Sequence, residues 1–207
     1  MHYQRANPAA PWLTATAIEF LSSWLRPSDV GLEWGCGRST IWLAHRVAQV
    51  VSVEDNREWA DRVSQLLTAA GLSGRVELST ASSDTSTGTA EGSPYVAIAN
   101  RFRPSSFDFC LVDGTHRDHC ALAAIDLVKP GGLLLVDNAE RYLPRALPSS
   151  APGARSKDDG TETSGWAKFE SAISNWRGFW TSNGVFDTAI WIKPPFSEPI
   201  TAQRNGS

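Results

Sequence analysis

GLEWGCGRST, residues Gly31 to Thr40, sets two glycines one residue apart where an apolar run gives way to a helical pattern. A strand that ends in glycine and feeds a helix lets a ligand approach the backbone closely, so this loop has the form of a nucleotide holder. The dinucleotide pattern GxGxxG requires a third glycine at position 40, and the chain has Thr40 there. The phosphate-binding pattern that ends in Lys is absent as well. Two acids stand in their place: Glu33 just ahead of the glycines, and Glu54 at the end of the next apolar run. Paired carboxylates repel a pyrophosphate and suit a cationic ligand with a ribose, whose hydroxyls a strand-end carboxylate accepts.

Outward from the loop, short apolar runs alternate with amphipathic ones. Thr14–Leu25 reads as a helix stopped by Pro27, VGLEW (30–34) as a strand, Arg38–Val47 as a helix, and QVVSVE (49–54) as a second strand. A helix ending on Gly71, a third strand at 75–80 and a polar loop from Ala81 to Ser93 follow, then a short helix over YVAIANRF. FDFCLVD (107–113) and GGLLLVDN (131–138) are apolar enough to be strands buried on both faces, joined by a helix over 116–128. The segment 143–165, rich in Pro, Ser and Gly, reads as a flexible loop or lid. A last helix and two β-rich runs meeting at Asn183-Gly184, a pair suited to a type I′ turn, close the chain. The expectation is α/β: a doubly wound, mostly parallel seven-stranded sheet with helices on both faces and an antiparallel C-terminal hairpin.

Composition fits one domain over 1–207, with residues 1–28 as a helical cover for a substrate. Of the 207 residues 42% are hydrophobic and 20% charged, and the formal net charge of -3 comes without any Lys/Arg run, which argues against nucleic acid as partner. Three cysteines, Cys36, Cys110 and Cys120, form no CxxC pair, so no disulfide framework or zinc site is expected and a reducing cytoplasm is the natural setting. No apolar run approaches a membrane span or a signal peptide. The nine tryptophans are expected mainly to pack. A homo-oligomer is compatible with all of this.

The runs LEWGCGRSTIWLA, VVSVEDNREW, FDFCLVDGTHRDHC and LVKPGGLLLVDNAERY, in this order and spacing, closely resemble the class I S-adenosylmethionine-dependent methyltransferases, which have a Rossmann-like fold. The resemblance covers residues 12 to 142. It implies that Glu33, Gly35, Gly37, Ser39 and Thr40 surround the methionine part of the cofactor, that Glu54 grips the ribose, and that Asp55 faces the adenine side. Asp84 lies in the region after the third strand where the family carries an acid for the adenine amino group, and the resemblance assigns no residue to that role. A sulfonium transfers its methyl by in-line displacement, so no covalent nucleophile is needed, and no GxSxG elbow is present.

A second set of residues sits at the ends of the fourth and fifth strands: Asp113, then Asp137 and Asn138. Oxygen ligands of this kind suit Mg²⁺ or a similar divalent cation, and the set is similar to that of metal-dependent O-methyltransferases. The alternative is that these acids cap helices or line the pocket without metal. Asp113 also adjoins the cofactor pocket. Asp113 and His116 are the candidates for catalysis, His116 as a general base sharing a helix face with His119. Arg117 and Arg141 are placed to steer an anionic acceptor, while Tyr95, Tyr142, Tyr3 and Trp12 are candidates for covering it. The implied reaction is methyl transfer to a small molecule at oxygen. A Rossmann-fold NAD-dependent oxidoreductase and a non-catalytic S-adenosylmethionine-binding protein are the competing readings.

Overall fold

The structure is a computed structural model and describes residue 3 and residues 6–86, 88–145 and 149–195. Seven strands form one sheet in the order β3-β2-β1-β4-β5-β7-β6. They are β1 (Val30–Trp34), β2 (Gln49–Glu54), β3 (Val76–Thr80), β4 (Phe107–Val112), β5 (Val128–Asp137), β6 (Arg177–Ser182) and β7 (Asp187–Ile192). The first five run parallel, and β7 lies antiparallel between β5 and β6. Among the described residues six α-helices flank them: α1 (Ala15–Trp24), α2 (Arg38–Ala44), α3 (Arg57–Ala69), α4 (Pro94–Ala97), α5 (Arg117–Leu127) and α6 (Ser164–Ala172). The expected doubly wound α/β architecture is therefore present.

Alternation along the central strands divides the core. Leu32 and Trp34 of β1 join Val51, Val53, Cys110, Val112, Leu134 and Val136 on the face covered by α5 and α6. Val50, Phe109, Leu111, Leu133 and Leu135 point the other way, against Ala17, Ile18 and Leu21 of α1 and Trp42 and Leu43 of α2. Gly31 makes room on this second face, because a Cβ there would lie 2.0 Å from the Phe109 ring. Fully burying a side chain such as Phe109 contributes about 2–3 kcal/mol. Six of the nine tryptophans pack into or against these two cores, as their size leads one to expect.

Several boundaries differ from the sequence reading, for local reasons. Helix α2 stops at Ala44, because the chain must turn to place Ala48 N–H on the Asp29 carbonyl (2.9 Å) before β2 begins. Strand β5 starts at Val128, three residues early; Lys129-Pro130 enter at a register shift between Phe107 and Phe109, where proline's missing N–H is tolerated. The C-terminal hairpin is not a type I′ turn. Ser182 pairs with Asp187, leaving a four-residue loop in which only Gly184 has positive φ (81°) and the Asn183 side chain accepts from the N–H groups of Val185 and Phe186.

The N-terminal helix α1 is a core element, its Ala17, Ile18 and Leu21 buried against the sheet; residues 1, 2, 4 and 5 of the expected cover lie outside the described residues. The segment 143–165 is tied back along its described part. Arg155 N–H donates to the Glu140 carbonyl, Glu162 N–H to the Tyr142 carbonyl (both 2.8 Å), and Thr163 Oγ1 donates to Asp118 (2.6 Å). Residues 146–148 of that expected lid lie outside the described residues. Among the described residues no helix is long and apolar enough to cross a membrane.

Candidate active site

In an open α/β sheet the ligand crevice lies outside the carboxyl ends of the strands, where the strand order reverses. Here that point falls between β1 and β4, because the chain winds outward through β2 and β3 and then returns to the other side of β1. The turns after β1 and β4 touch at backbone distance. A Cβ on Gly35 (φ 95°) would sit 2.9 Å from Gly114 N, and Gly114 in turn packs so closely on the Tyr95 hydroxyl that any side chain there would overlap it. Gly35 N–H donates to the Val53 carbonyl (2.8 Å) and Asp113 N–H to the Trp34 carbonyl (2.9 Å), which fixes both turns against the sheet.

Gly37 is different. Its φ of 169° is open to any residue, and the nearest atom to an added Cβ is a Trp59 ring carbon at 3.9 Å. Nothing internal requires glycine here, so the free space on this side of the loop is what a close-lying ligand would use. The loop is clamped from β2 and α3. Glu54, buried at the end of β2, accepts from Cys36 N–H (2.9 Å) and Asn56 N–H (3.0 Å), while Trp59 Nε1–H donates to the Cys36 carbonyl (2.7 Å). Sequence reading placed Glu54 but missed Trp59, whose only signal is its position in the first turn after a strand-end acid. Burial, together with the carboxylates of Glu54 and Glu33, pushes the Cys36 thiol well above its ordinary pKa, which disfavours the thiolate.

Glu33 and Ser52 are register partners on one face of the sheet, and both meet Thr40 of α2. Glu33 Oε2 accepts from Thr40 Oγ1 (2.6 Å) and Ser52 Oγ (2.8 Å), and Thr40 Oγ1 also accepts from Gly37 N–H (2.9 Å). The other oxygen, Oε1, is buried without a hydrogen-bond partner. Burial pushes this carboxyl up to about 7, against the opposing hydrogen bonds from Thr40 and Ser52. Thr40 thus does specific work at the position where a dinucleotide site would have glycine.

Three loops close around Asp55. Its carboxylate accepts from Ser83 Oγ (2.7 Å) and Thr115 Oγ1 (3.2 Å), and His116 Nε2 bonds the Ser83 carbonyl (2.7 Å). Burial alone would raise Asp55, but the hydrogen bonds, led by that from Ser83, hold it below its ordinary range. Asp84 stands apart from this clasp: it is exposed, and its carboxylate accepts from Ser86 N–H and Oγ within its own turn (both 2.8 Å). Ser83, which sequence reading passed over, supplies the link instead.

His116 is not on a helix face with His119. It adopts a left-handed conformation (φ 46°, ψ 42°) just before α5, so its ring turns to the loop after β3, whereas His119 lines a separate cavity of about 460 Å³ with Asn100, Ser164 and Lys168. Tyr95 is a core residue beneath the Asp113–Thr115 turn and does not cover a pocket. Tyr142 stacks on Trp166 at 5.4 Å.

At the ends of β4 and β5 the structure places Arg117 among Asp113, Asp137 and Asn138. Its guanidinium bonds the carbonyls of Asp113, Gly114 and Asp137, the Asn138 side-chain oxygen (3.3 Å) and the Asp113 carboxylate (3.1 Å). Asp137 turns its carboxylate to Thr188 Oγ1 (2.7 Å) on β7. A divalent ion needs several oxygens converging on one point, and this set, interleaved with a guanidinium, does not fit one. Nor is any group of three His, Cys, Asp or Glu side chains arranged to hold a metal among the described residues. Arg117 also has no free donor with which to steer an anionic acceptor. Burial pushes Asp113 up to about 6, opposed by Arg117, and burial together with the Asp113 charge raises Asp137 well above the usual carboxylate range.

Comparison with known proteins agrees with this geometry. Residues 32–139, more than half of the chain, match a family model described as a methyltransferase domain. Among solved structures, the chain is similar to the O-methyltransferase TomG of Streptomyces achromogenes, involved in tomaymycin synthesis and solved with S-adenosylmethionine (22% identity, 93% of this chain and 86% of that one, TM-score 0.60). It is also similar to an O-methyltransferase of Bacillus cereus solved with S-adenosylhomocysteine (20%, 93% and 88%, TM-score 0.60) and to a methyltransferase of Geobacter sulfurreducens (16%, 93% and 83%, TM-score 0.59). At these identities the solved structures establish the shared fold. No curated protein matches the chain in sequence.

Proposed function

The chain belongs to the class I S-adenosylmethionine-dependent methyltransferases, and from that premise we propose that it transfers the sulfonium methyl group to an oxygen of a small-molecule acceptor. The observation that carries the reading is the loop Gly35–Gly37: anchored by Glu54 and Trp59, yet open on the side where a Cβ of Gly37 would stand. The cofactor lies along that side, with its methionine part toward Glu33, Ser39 and Thr40, its ribose on Glu54, and its adenine toward the Asp55–Ser83–Thr115 clasp. Asp113, at the β1/β4 switch point, borders the same crevice.

Oxygen as the acceptor atom is supported by the two O-methyltransferase structures whose folds match over 93% of this chain. A small acceptor is supported by the net charge of -3 and the lack of a basic run. His116 is the base. Its Nε2 is held on the Ser83 carbonyl (2.7 Å), which fixes the ring at the mouth of the β4 turn. Trp12, half-exposed with the Arg38 guanidinium 5.3 Å from its ring centroid, covers the acceptor side. Three buried free thiols, Cys36, Cys110 and Cys120, support a reducing, cytoplasmic setting.

Calorimetric titration with S-adenosylmethionine, S-adenosylhomocysteine and NADH tests the cofactor. The expected outcome is binding of both sulfur nucleotides, weakened in Glu54→Ala by the loss of two ribose hydrogen bonds, about 10²-fold. Binding of NADH in their stead would overturn the reading. A screen of hydroxyl-bearing compounds for the mass increase of one methyl group then identifies the acceptor.

A further inference from the structure

The oxygens that the sequence marks for a divalent ion already surround a cation belonging to the chain. A guanidinium carries five N–H donors in a planar fork, and in Arg117 each has its own oxygen. Nε–H goes to the Gly114 carbonyl (2.8 Å), Nη1 to the Asp137 carbonyl and Asn138 Oδ1 (3.3 Å), and Nη2 to the Asp113 carbonyl (2.8 Å) and carboxylate (3.1 Å). The Tyr142 ring stands over the guanidinium, 5.7 Å from its centroid, and only 14% of the Arg117 side chain is exposed. Two of the three candidate metal ligands are thus spent on Arg117, and the third, Asp137, is held by Thr188 on β7.

The geometry points to Arg117 as a built-in cation that replaces a divalent ion between the ends of β4 and β5. The inference rests on the methyltransferase reading and narrows its acceptor class. An acceptor that must chelate a metal through two neighbouring oxygens has no anchor here, so the substrate hydroxyl gives its proton to a protein base. Arg117 is a positioning residue in this scheme. It offsets the charge of Asp113 and straps the β4 turn, with Thr115 and His116, to β5, doing with fixed hydrogen bonds what a metal would do by coordination. A dication cannot enter while it stays, since like charges would share one ring of ligands.

The test is titration of Mn²⁺ into the purified protein with S-adenosylhomocysteine present, read as loss of the free-ion electron paramagnetic signal. Wild type is expected to leave the signal unchanged, and its turnover, once an acceptor is known, to be indifferent to a chelator. Arg117→Gln frees a ring of five oxygens, the donor type that hard cations prefer, and is expected to take up one Mn²⁺ per chain. Uptake of one Mn²⁺ by wild type that is lost in Asp137→Asn overturns the inference. So does a folded Arg117→Gln protein that binds none, and if circular dichroism shows that variant unfolded, the wild-type titration decides alone. The readout needs no methyl acceptor. Failure here therefore stays separate from failure of the methyltransferase reading, which calorimetry with S-adenosylhomocysteine tests by itself.

Discussion

Glu33 carries the most information of any single residue in the site. It is completely buried, satisfied at one oxygen by Thr40 and Ser52 and unsatisfied at the other, and its carboxyl titrates at about 7 for want of solvation. Because the folded value lies above the unfolded one, the native state holds the extra proton between about 4.5 and about 7. Stability from this group is therefore full below that window and is lost as pH rises through it. Relative to Glu33→Gln, the ligand-free protein should lose about 3 kcal/mol between about pH 4.5 and pH 7. Urea unfolding of both proteins near pH 5 and near pH 8 measures the difference, and parallel pH profiles would remove the assigned role of burial. That Glu33, Glu54 and Asp113 fall around the switch point was readable in the sequence, because each lies at or next to the carboxyl end of an apolar run that the periodicity marks as a strand. What they touch was not. The Trp59 bond to Cys36 and the turn of His116 into left-handed space depend on how separate loops meet, and no periodicity encodes that.

The β1–α2 loop joins sequence to function through two glycines with opposite reasons to be there. Gly35 has positive φ and lies against the backbone of Gly114, so Gly35→Ala should cost about 2–3 kcal/mol of stability whether or not cofactor is present. Gly37 has extended φ and open space, so Gly37→Ala should keep stability within about 0.5 kcal/mol of wild type while weakening S-adenosylhomocysteine at least about tenfold. Urea midpoints and binding calorimetry on the two variants separate these effects, and a reversal of the pattern would show the ligand to lie elsewhere. The order of strands and helices was readable because apolar period changes from 2 to 3.6 and back along the chain. Positions governed by pairing rather than period were not. The start of β5 depends on a register shift against β4, and the hairpin loop on how β6 meets β7, so Asn183-Gly184 marked the turn without fixing its length.

Across the molecule, the start of α1 and the β6–β7 hairpin meet through a buried line of hydroxyls that reaches the site. Thr14, the N-cap of α1, contacts the Thr181 hydroxyl of β6, and its N–H donates to Thr188 Oγ1 of β7 (3.2 Å). Thr181 Oγ1 donates to the Thr188 carbonyl (3.1 Å), and Thr188 Oγ1 donates to Asp137 Oδ1 at the end of β5 (2.7 Å). The hairpin is thereby wedged between the N-terminal helix and the strand whose end carries Asp137 and Asn138, and the direction of the Asp137 carboxylate is set by residues from opposite ends of the sequence. Such a line of single hydroxyls leaves no motif, which is why the sequence pointed Asp137 at a ligand and the structure points it at β7. Replacing the hydroxyl by a methyl of similar size, Thr188→Val, strands Asp137 Oδ1 and the Thr14 N–H together, each a buried polar group that loses its partner. The cost should be about 2–4 kcal/mol, read from the urea midpoint with an unchanged slope. The conservative Thr188→Ser, which keeps the hydroxyl, should recover most of it; if serine is as damaging as valine, the line contributes by packing and Asp137 is oriented by something else.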